Sequence, residues 1–400
     1  MQIHLDRLTW LQVLASSCIC VQASVSFNIF DALMPVSYLV LFMSLLFFLV
    51  MGMLFCRRPQ MTFFDFACTM FFILLLSITI VNGANIKDCI YVSAGVLLTV
   101  LLFNYFRKNL KLIILSLGIT FSLLIYANMA LMLMFPDWIF MTDEWDRYLL
   151  GGNYNSIGIR LITAIIVNYV CTRYYKKWMV NLVMLVIVSI ATLLLVGSMT
   201  AVTGVILFTL TCFIPSVRLQ KIAFVSFFTF YVLFQVGVCF QGEGLQDNPL
   251  AVYFIQDILG KNLTFTNRTV LWDAAGRLFW QSPIIGYGYV DNDWFYTHLA
   301  SFAIGPHNFI YFILLSGGIL LLSVFITAIA LAFRRIWPHL DRMGGSLLLG
   351  LTTVLFMQTM EVYPFFFNFL LLALIYYYPE LKSTWEKPLP QEPTEETTET

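Results

Sequence analysis

The sequence predicts an all-α, polytopic membrane protein with about 12 transmembrane helices and one large extracytoplasmic loop containing an amphipathic helix. Three observations predict it. Of the 400 residues, 60% are hydrophobic and only 11% charged, against about 45–50% and about 25% in soluble domains. Apolar runs of roughly the 20 residues that cross a hydrocarbon core recur along most of the chain. The basic residues between those runs alternate in density from one connection to the next. A mean hydropathy of +0.85 excludes a soluble, disordered, coiled-coil or nucleic-acid-binding chain. The net charge of zero carries no further information.

The runs lie at about 9–27, 34–55, 62–81, 90–106, 112–135, 157–172, 178–196, 200–215, 222–240, 305–333, 345–360 and 364–378. The first is the most polar, with Ser16, Ser17, Gln22 and Ser24 inside it. A cleaved signal peptide is the competing reading. Its charged flank is thin and no small-residue cleavage site comes after it, so a retained span is preferred. Leu14-Ala15-Ser16-Ser17-Cys18 only faintly resembles a lipidation site. The eight cysteines form no CxxC pair and read as small packing residues.

One set of connections holds Arg7, Arg57, Arg58, Arg107, Lys108, Lys111, Arg173, Lys176, Lys177, Arg218, Lys221, Arg334, Arg335, Arg342, Lys382 and Lys387. The alternate set holds only Lys87, Arg147, Lys261, Arg268 and Arg277. Sixteen against five places both termini in the cytoplasm of a plasma-membrane protein. Residues 1–378 then form the membrane domain. Residues 379–400, acidic and Pro-rich towards the end, form a short cytoplasmic tail expected to be disordered.

The longest connection, 241–304, faces outside. It contains Trp272, Phe279, Trp280, Tyr287, Tyr289, Trp294, Phe295 and Tyr296, so a small folded cap is expected there. Asn267 is placed to cap a helix from about Arg268 to Gln281, which Pro283 ends. Leu271, Ala274, Ala275, Leu278 and Phe279 give that helix an apolar stripe, and Asp273 and Arg277 pair at i,i+4. Gly286-Tyr287-Gly288 reads as a flexible turn.

Ionisable groups near membrane depth are the candidates for chemistry. Arg160, in the first turn of the sixth span, is either a substrate-binding cation or an arginine snorkelling to a lipid phosphate; position alone balances the two. Arg268 opens the cap helix, where free N–H groups and a guanidinium suit an anion; the alternative is an exposed interfacial arginine. His307, in Gly305-Pro306-His307-Asn308, can exchange a proton at neutral pH, and Asn308 adds donors and an acceptor. Position alone favours an ordinary interfacial histidine. His298 is a second, looser candidate. Asp291-Asn292-Asp293 resembles a metal motif but reads better as loop, and the sequons at Asn262 and Asn267 are short enough to arise by chance. Neither a P-loop nor a GxSxG or HExxH pattern is present.

Taken in order, Arg268-Thr269-x-x-Trp272, Ser282-Pro283-Ile284-Ile285-Gly286-Tyr287-Gly288, Pro306-His307-Asn308-Phe309-Ile310 and Leu315-Ser316-Gly317-Gly318-Ile319 resemble the O-antigen ligase and polysaccharide-polymerase family. The resemblance covers roughly residues 150–345. It implies transfer of a lipid-diphosphate-linked glycan to an acceptor hydroxyl on the outer membrane face, with no cofactor and no metal. It also implies Arg268 as a diphosphate ligand and His307 as the base. The sequence departs from the family at Ser198-Met199-Thr200, where Met199 stands at an arginine position, and at Asn153-Tyr154-Asn155, which lacks a proline. Arg160 is then the candidate for the missing second cation.

The expected partners are a polyprenyl-diphosphate-linked oligosaccharide donor, a growing glycan acceptor, the bilayer and other polysaccharide-assembly proteins. A repeat-unit polymerase is preferred over a ligase on prevalence alone. The rival from another class is a twelve-span transporter or flippase. It is disfavoured because no internal repeat is visible and the only deep charges are Arg160 and Asp65.

Overall fold

The computed structural model describes residues 7–27, 34–57, 60–135, 148–151, 154–247, 249–253 and 267–386. These are helical throughout, without a strand among the described residues. Each of the twelve apolar runs forms a helix. They are α1 (Arg7–Ser24), α2 (Met34–Arg57), α3 (Phe63–Val81), α4 (Ile86–Tyr105), α5 (Lys111–Met134) and α6 (Tyr154–Cys171). Next come α7 (Trp178–Leu195), α8 (Met199–Cys212) and α9 (Val217–Phe234), the last extended by a π-helical turn, Gln235–Cys239. After the short α10 (Pro249–Val252) come α11 (Arg268–Gln281) and α12 (Asn292–His298). The chain closes with α13 (Phe309–Ile336), α14 (Arg342–Met357), α15 (Phe365–Tyr376) and α16 (Tyr378–Glu386).

Seven helices are long and apolar enough to cross a membrane: α2, α3, α4, α5, α7, α9 with its π turn, and α13. The other five helices, α1, α6, α8, α14 and α15, have apolar stretches of only 10–17 residues. The most apolar windows of α2, α9 and α7 are only 17%, 22% and 28% buried, so these helices form the perimeter. Every residue of α15 is buried, as is nearly every residue of α14 and of α6 beyond Ile157. A helix enclosed by protein finds partners for its end groups there and does not need the full bilayer length.

The centre is aromatic. Phe71 and Phe72 of α3 meet Phe365 and Phe369 of α15 at ring separations of 5.1–6.0 Å, and Phe309 and Phe325 of α13 join them. Asp65, the second deep charge, is structural. It closes a capping box with Thr62 at the start of α3 and accepts from Tyr377 Oη (2.7 and 2.9 Å) and Asn104 Nδ2.

Basic residues collect where α13 ends. Arg335 pairs with Glu380, Lys382 lies 3.4 Å from Asp341, and Lys111 and Arg173 sit over Tyr174 and Trp385. His307 is at the opposite end of α13. Part of the expected disordered tail is ordered. Residues through Glu386 continue α16, held by buried Leu381 and by Thr384 bonded to Tyr174; residues 387–400 lie outside the described set.

The glycine motifs make a fixed joint instead of the expected flexible turn. Gly317 (φ −154°) and Gly318 (φ +63°) interrupt α13. The carbonyls of Leu315 and Ser316, freed by the break, accept from the N–H groups of Tyr287 (2.7 Å) and Gly288 (3.0 Å). Beyond the break, the N–H groups of Ile319 and Leu320 donate to Pro283 (2.9 Å) and Ile284 (3.3 Å). The same segment continues to the α3–α4 turn, where Tyr289 N–H donates to Thr79 Oγ1 and Asn85 N–H to Tyr289 O.

A Cβ at Gly318 would lie 2.2 Å from the Ile284 backbone, in a left-handed conformation that only glycine adopts freely. Gly318→Ala should therefore remove most folded protein, a loss of at least about 2 kcal/mol. Gly52→Ala, where nothing lies within 4 Å, should be neutral or stabilising. Recovery of monodisperse protein in detergent distinguishes the two; equal yields would exclude a rigid joint.

Candidate functional site

The approach to α13 places His307. Its backbone is left-handed (φ 45°), unusual for a side-chain-bearing residue and held here by the bonds that anchor Asn308 and Phe309. Asn308 caps α13, its Oδ1 accepting from Tyr311 N–H at 3.1 Å. The same oxygen accepts from Gln235 Nε2 (3.2 Å), while Asn308 Nδ2 donates to Gln235 Oε1 (3.1 Å) and Thr359 O (3.2 Å). Phe309 N–H donates to Gln358 O, tying this turn to the end of α14. Asn308, expected as a substrate ligand, is 0% exposed with its amide engaged by protein, and it holds the turn that carries His307. Gln235 was not visible as a partner in the sequence. The π-helical turn that presents it is a local distortion of a kind found often at functional sites.

His307 Nδ1 lies 3.0 and 3.1 Å from the two carboxylate oxygens of Glu361, in the connection between α14 and α15. An imidazole that donates from Nδ1 to a carboxylate keeps Nε2 as its basic nitrogen, in a fixed ring orientation. Glu361 Oε2 is also 3.8 Å from Arg268 Nη2, so histidine, carboxylate and guanidinium form one chain of contacts. Tyr363 lies within electrostatic reach of Glu361, Arg268 and Arg160. Burial pushes its phenol well above the ordinary range, Glu361 adds to this, and the two arginines oppose it.

Arg160 is only 7% exposed. Its Nε and Nη2 donate to Ser24 O (3.0 Å) and Ala23 O (3.3 Å), and Nη1 donates to Ser156 O (2.5 Å). The guanidinium thus caps the carbonyl end of α1, where orphan acceptors and the negative helix pole concentrate. It also lies over Phe367, 5.4 Å from the ring centroid. A snorkelling role is excluded by this enclosure. Met199, at the position where the resemblance expects arginine, is 62% exposed at the start of α8.

Arg160, His307, Glu361 and Tyr363 line one half-open cavity of about 670 Å³. Such a volume falls in the range of small-molecule sites. Arg268 stands behind Glu361, outside the cavity lining.

The cap helix is as expected in its bounds and in its inward residues Leu271, Ala274 and Ala275, and Trp272 is also buried. Arg277 pairs with Asp273. Asn267 departs from expectation: it is left-handed (φ 65°) and its side chain makes no cap bond. Asp291 caps α12, accepting from Trp294 N–H, so the D-x-D stretch is a helix start; no metal-ligand cluster occurs among the described residues. His298 stacks on Trp294 at 4.4 Å and bonds Trp294 O; it is exposed and does not belong to the cavity lining. Asn262 and Asn153 lie outside the described residues.

No protein-family model matches the chain, and no curated protein sequence does.

Removing the Asn308 amide strands the Gln235 side chain and uncaps α13. Asn308→Ala should cost roughly 2–4 kcal/mol, and Gln235→Ala about half as much because the cap survives. Thermal melts in detergent would show this order. A Gln235→Ala loss equal to that of Asn308→Ala would mean the amide pair, not the cap, holds the turn.

Proposed function

We propose that this chain is a plasma-membrane glycosyltransferase that joins lipid-diphosphate-linked oligosaccharide repeats into a cell-surface polysaccharide. The observation that carries the reading is the His307–Glu361 pair on the wall of a cavity that also holds Arg160. Glu361 orients the imidazole, and Nε2 takes the proton of an acceptor hydroxyl as its oxygen bonds the anomeric carbon. The bond from that carbon to the diphosphate oxygen breaks, and the diphosphate leaves with the electron pair. Attack opposite the leaving group inverts the anomeric centre.

Charge building on the diphosphate needs cationic donors already in place. Arg160, in the cavity lining, fills that role, and Arg268 adds positive charge from behind Glu361. Holding donor and acceptor together supplies the proximity term, and a histidine base adds about 10²–10⁴-fold.

In this reading all twelve apolar helices traverse the bilayer region, with both termini cytoplasmic and residues 241–304 outside. The support is the sixteen-to-five basic asymmetry and the clustering of basic side chains at the end of the bundle remote from His307. The interrupted helix α13 is the one feature reminiscent of a transporter. Its freed carbonyls and N–H groups are occupied by residues 283–288, which leaves them no substrate to hold.

His307→Gln keeps hydrogen bonding but loses proton acceptance, so long polymer should disappear while exported single repeats accumulate. Arg268→Lys should lower activity strongly through loss of the guanidinium fork, and His298→Ala should retain most activity. Chain-length analysis of surface polysaccharide reads all three, and long chains from His307→Gln would exclude proton abstraction by this residue. Orientation is tested separately. Cysteine placed at Asn248 should react with a membrane-impermeant thiol reagent in intact cells, and cysteine at Ser216 should not; the reverse pattern would invert the topology.

A further inference from the structure

The cavity that holds His307 does not end at the polar groups. A second limb runs between α1, α2 and α4, lined by Ile19, Gln22, Leu41, Val92, Gly95 and Val96. Its wall on α4 extends from Lys87 to Val96, ten residues separated by nine helical steps and so about 14 Å of depth. Polar residues stand at its mouth, where Lys87 and Asp88 open α4, and apolar ones at its floor. Ile19 and Val96 are 2% and 0% exposed.

One wall of this limb is not sealed. The buried residues of α2 are Ser44, Phe47 and Met51, so none of the first ten residues, 34–43, is buried. Among them Met34, Ser37, Tyr38 and Leu41 line the cavity, while Tyr38 and Phe42 are 63% and 62% exposed. The limb therefore runs parallel to the helices, is greasy at depth, joins the polar site at its top and is bounded sideways by a helix whose first ten residues are unburied.

We propose that this limb takes the first isoprene units of the donor's hydrocarbon chain, with the outer end of α2 as the side through which the chain enters from the bilayer. This rests on the reading of the polar site as a diphosphate site. The geometry matches the ligand: a diphosphate beside Arg160 leaves its chain pointing down the limb, and a chain in contact with lipid must travel towards membrane depth. A glycan fits poorly at the floor, where Ile19, Leu41 and Val96 surround a single polar side chain, Gln22, and most of its hydroxyls would lack partners. At Gly95 an added Cβ would sit 3.6 Å from Gln22, an ordinary contact. Larger side chains at this position fill the limb from α4, and larger ones at Leu41 fill it from α2.

Binding of inorganic pyrophosphate, dimethylallyl diphosphate and farnesyl diphosphate to the purified protein in detergent tests this without any turnover. Affinity should rise roughly tenfold or more from dimethylallyl to farnesyl, because the longer chain buries apolar surface in the limb. Gly95→Leu and, independently, Leu41→Trp should each abolish that gain while leaving pyrophosphate binding unchanged, which also shows that the variants are folded. A gain that persists in both variants places the chain in the surrounding detergent or lipid and overturns the proposal. Equal affinity for all three ligands overturns it as well. A chain-length gain lost in the variants, found alongside normal polymer from His307→Gln, would keep the limb and discard the glycan-transfer chemistry.

Discussion

Inside a bilayer an interrupted helix leaves backbone groups that only protein can satisfy, and this constraint organises the site end of the molecule. The Gly317-Gly318 break in α13 exposes two carbonyls and two N–H groups, and residues 283–288 meet all four. The segment that does so leads out of α11 and on to the α3–α4 turn through Tyr289. One joint therefore fixes α11, the end of α3 that turns into α4 and the first half of α13 relative to one another. His307, two residues before α13, inherits that position. The left-handed backbone at His307 is maintained by Asn308, Gln235 and the end of α14, which come from three separate parts of the chain.

Electrostatically the site is a relay with one acid between two basic groups. Glu361 receives His307 on one side and Arg268 on the other, and Tyr363 senses both arginines. Without Glu361 the imidazole would have no fixed orientation and Arg268 would lose the carboxylate that faces it. The arginines differ in what holds them. Arg160 is locked by backbone carbonyls of α1 and of its own helix, whereas Arg268 is held by a side chain that an incoming anion can displace.

The fold was legible where a single run of residues carries the information. Twelve apolar stretches became twelve helices, and the stripe of Leu271, Ala274 and Ala275 became the buried face of α11. Contacts between distant segments were not legible. The P-x-x-G-x-G and Gly317-Gly318 motifs were both visible, but nothing in the sequence says that one fills the gap made by the other. Glu361 was passed over because it falls between two apolar runs, where an acid reads as a solvated boundary; a lone carboxylate beside Tyr363 and Pro364 was the available signal. Asn308 was taken as a ligand because its neighbour was, while its amide is consumed by Gln235, 73 residues away. Continuation of the last helix to Glu386 was hidden by a composition that turns polar before the packing ends.

The shortness of α15 bears on how the protein is made. Twelve residues, Phe365 to Tyr376, are too few to span a hydrocarbon core without the chain on either side of them, yet all twelve are buried and four of the first five are phenylalanine. Such a segment gains little by partitioning into lipid alone. Its stabilising contacts are the rings of α3 and α13, both synthesised earlier. Insertion of α15 is then an act of assembly: the preceding helices present a slot, and the last apolar segment completes the bundle by docking into it. The same event delivers Glu361 and Tyr363 to the site, since both lie just ahead of Phe365. A bundle whose closing helix has not docked is one whose histidine has no carboxylate, so function arrives only with the final packing step.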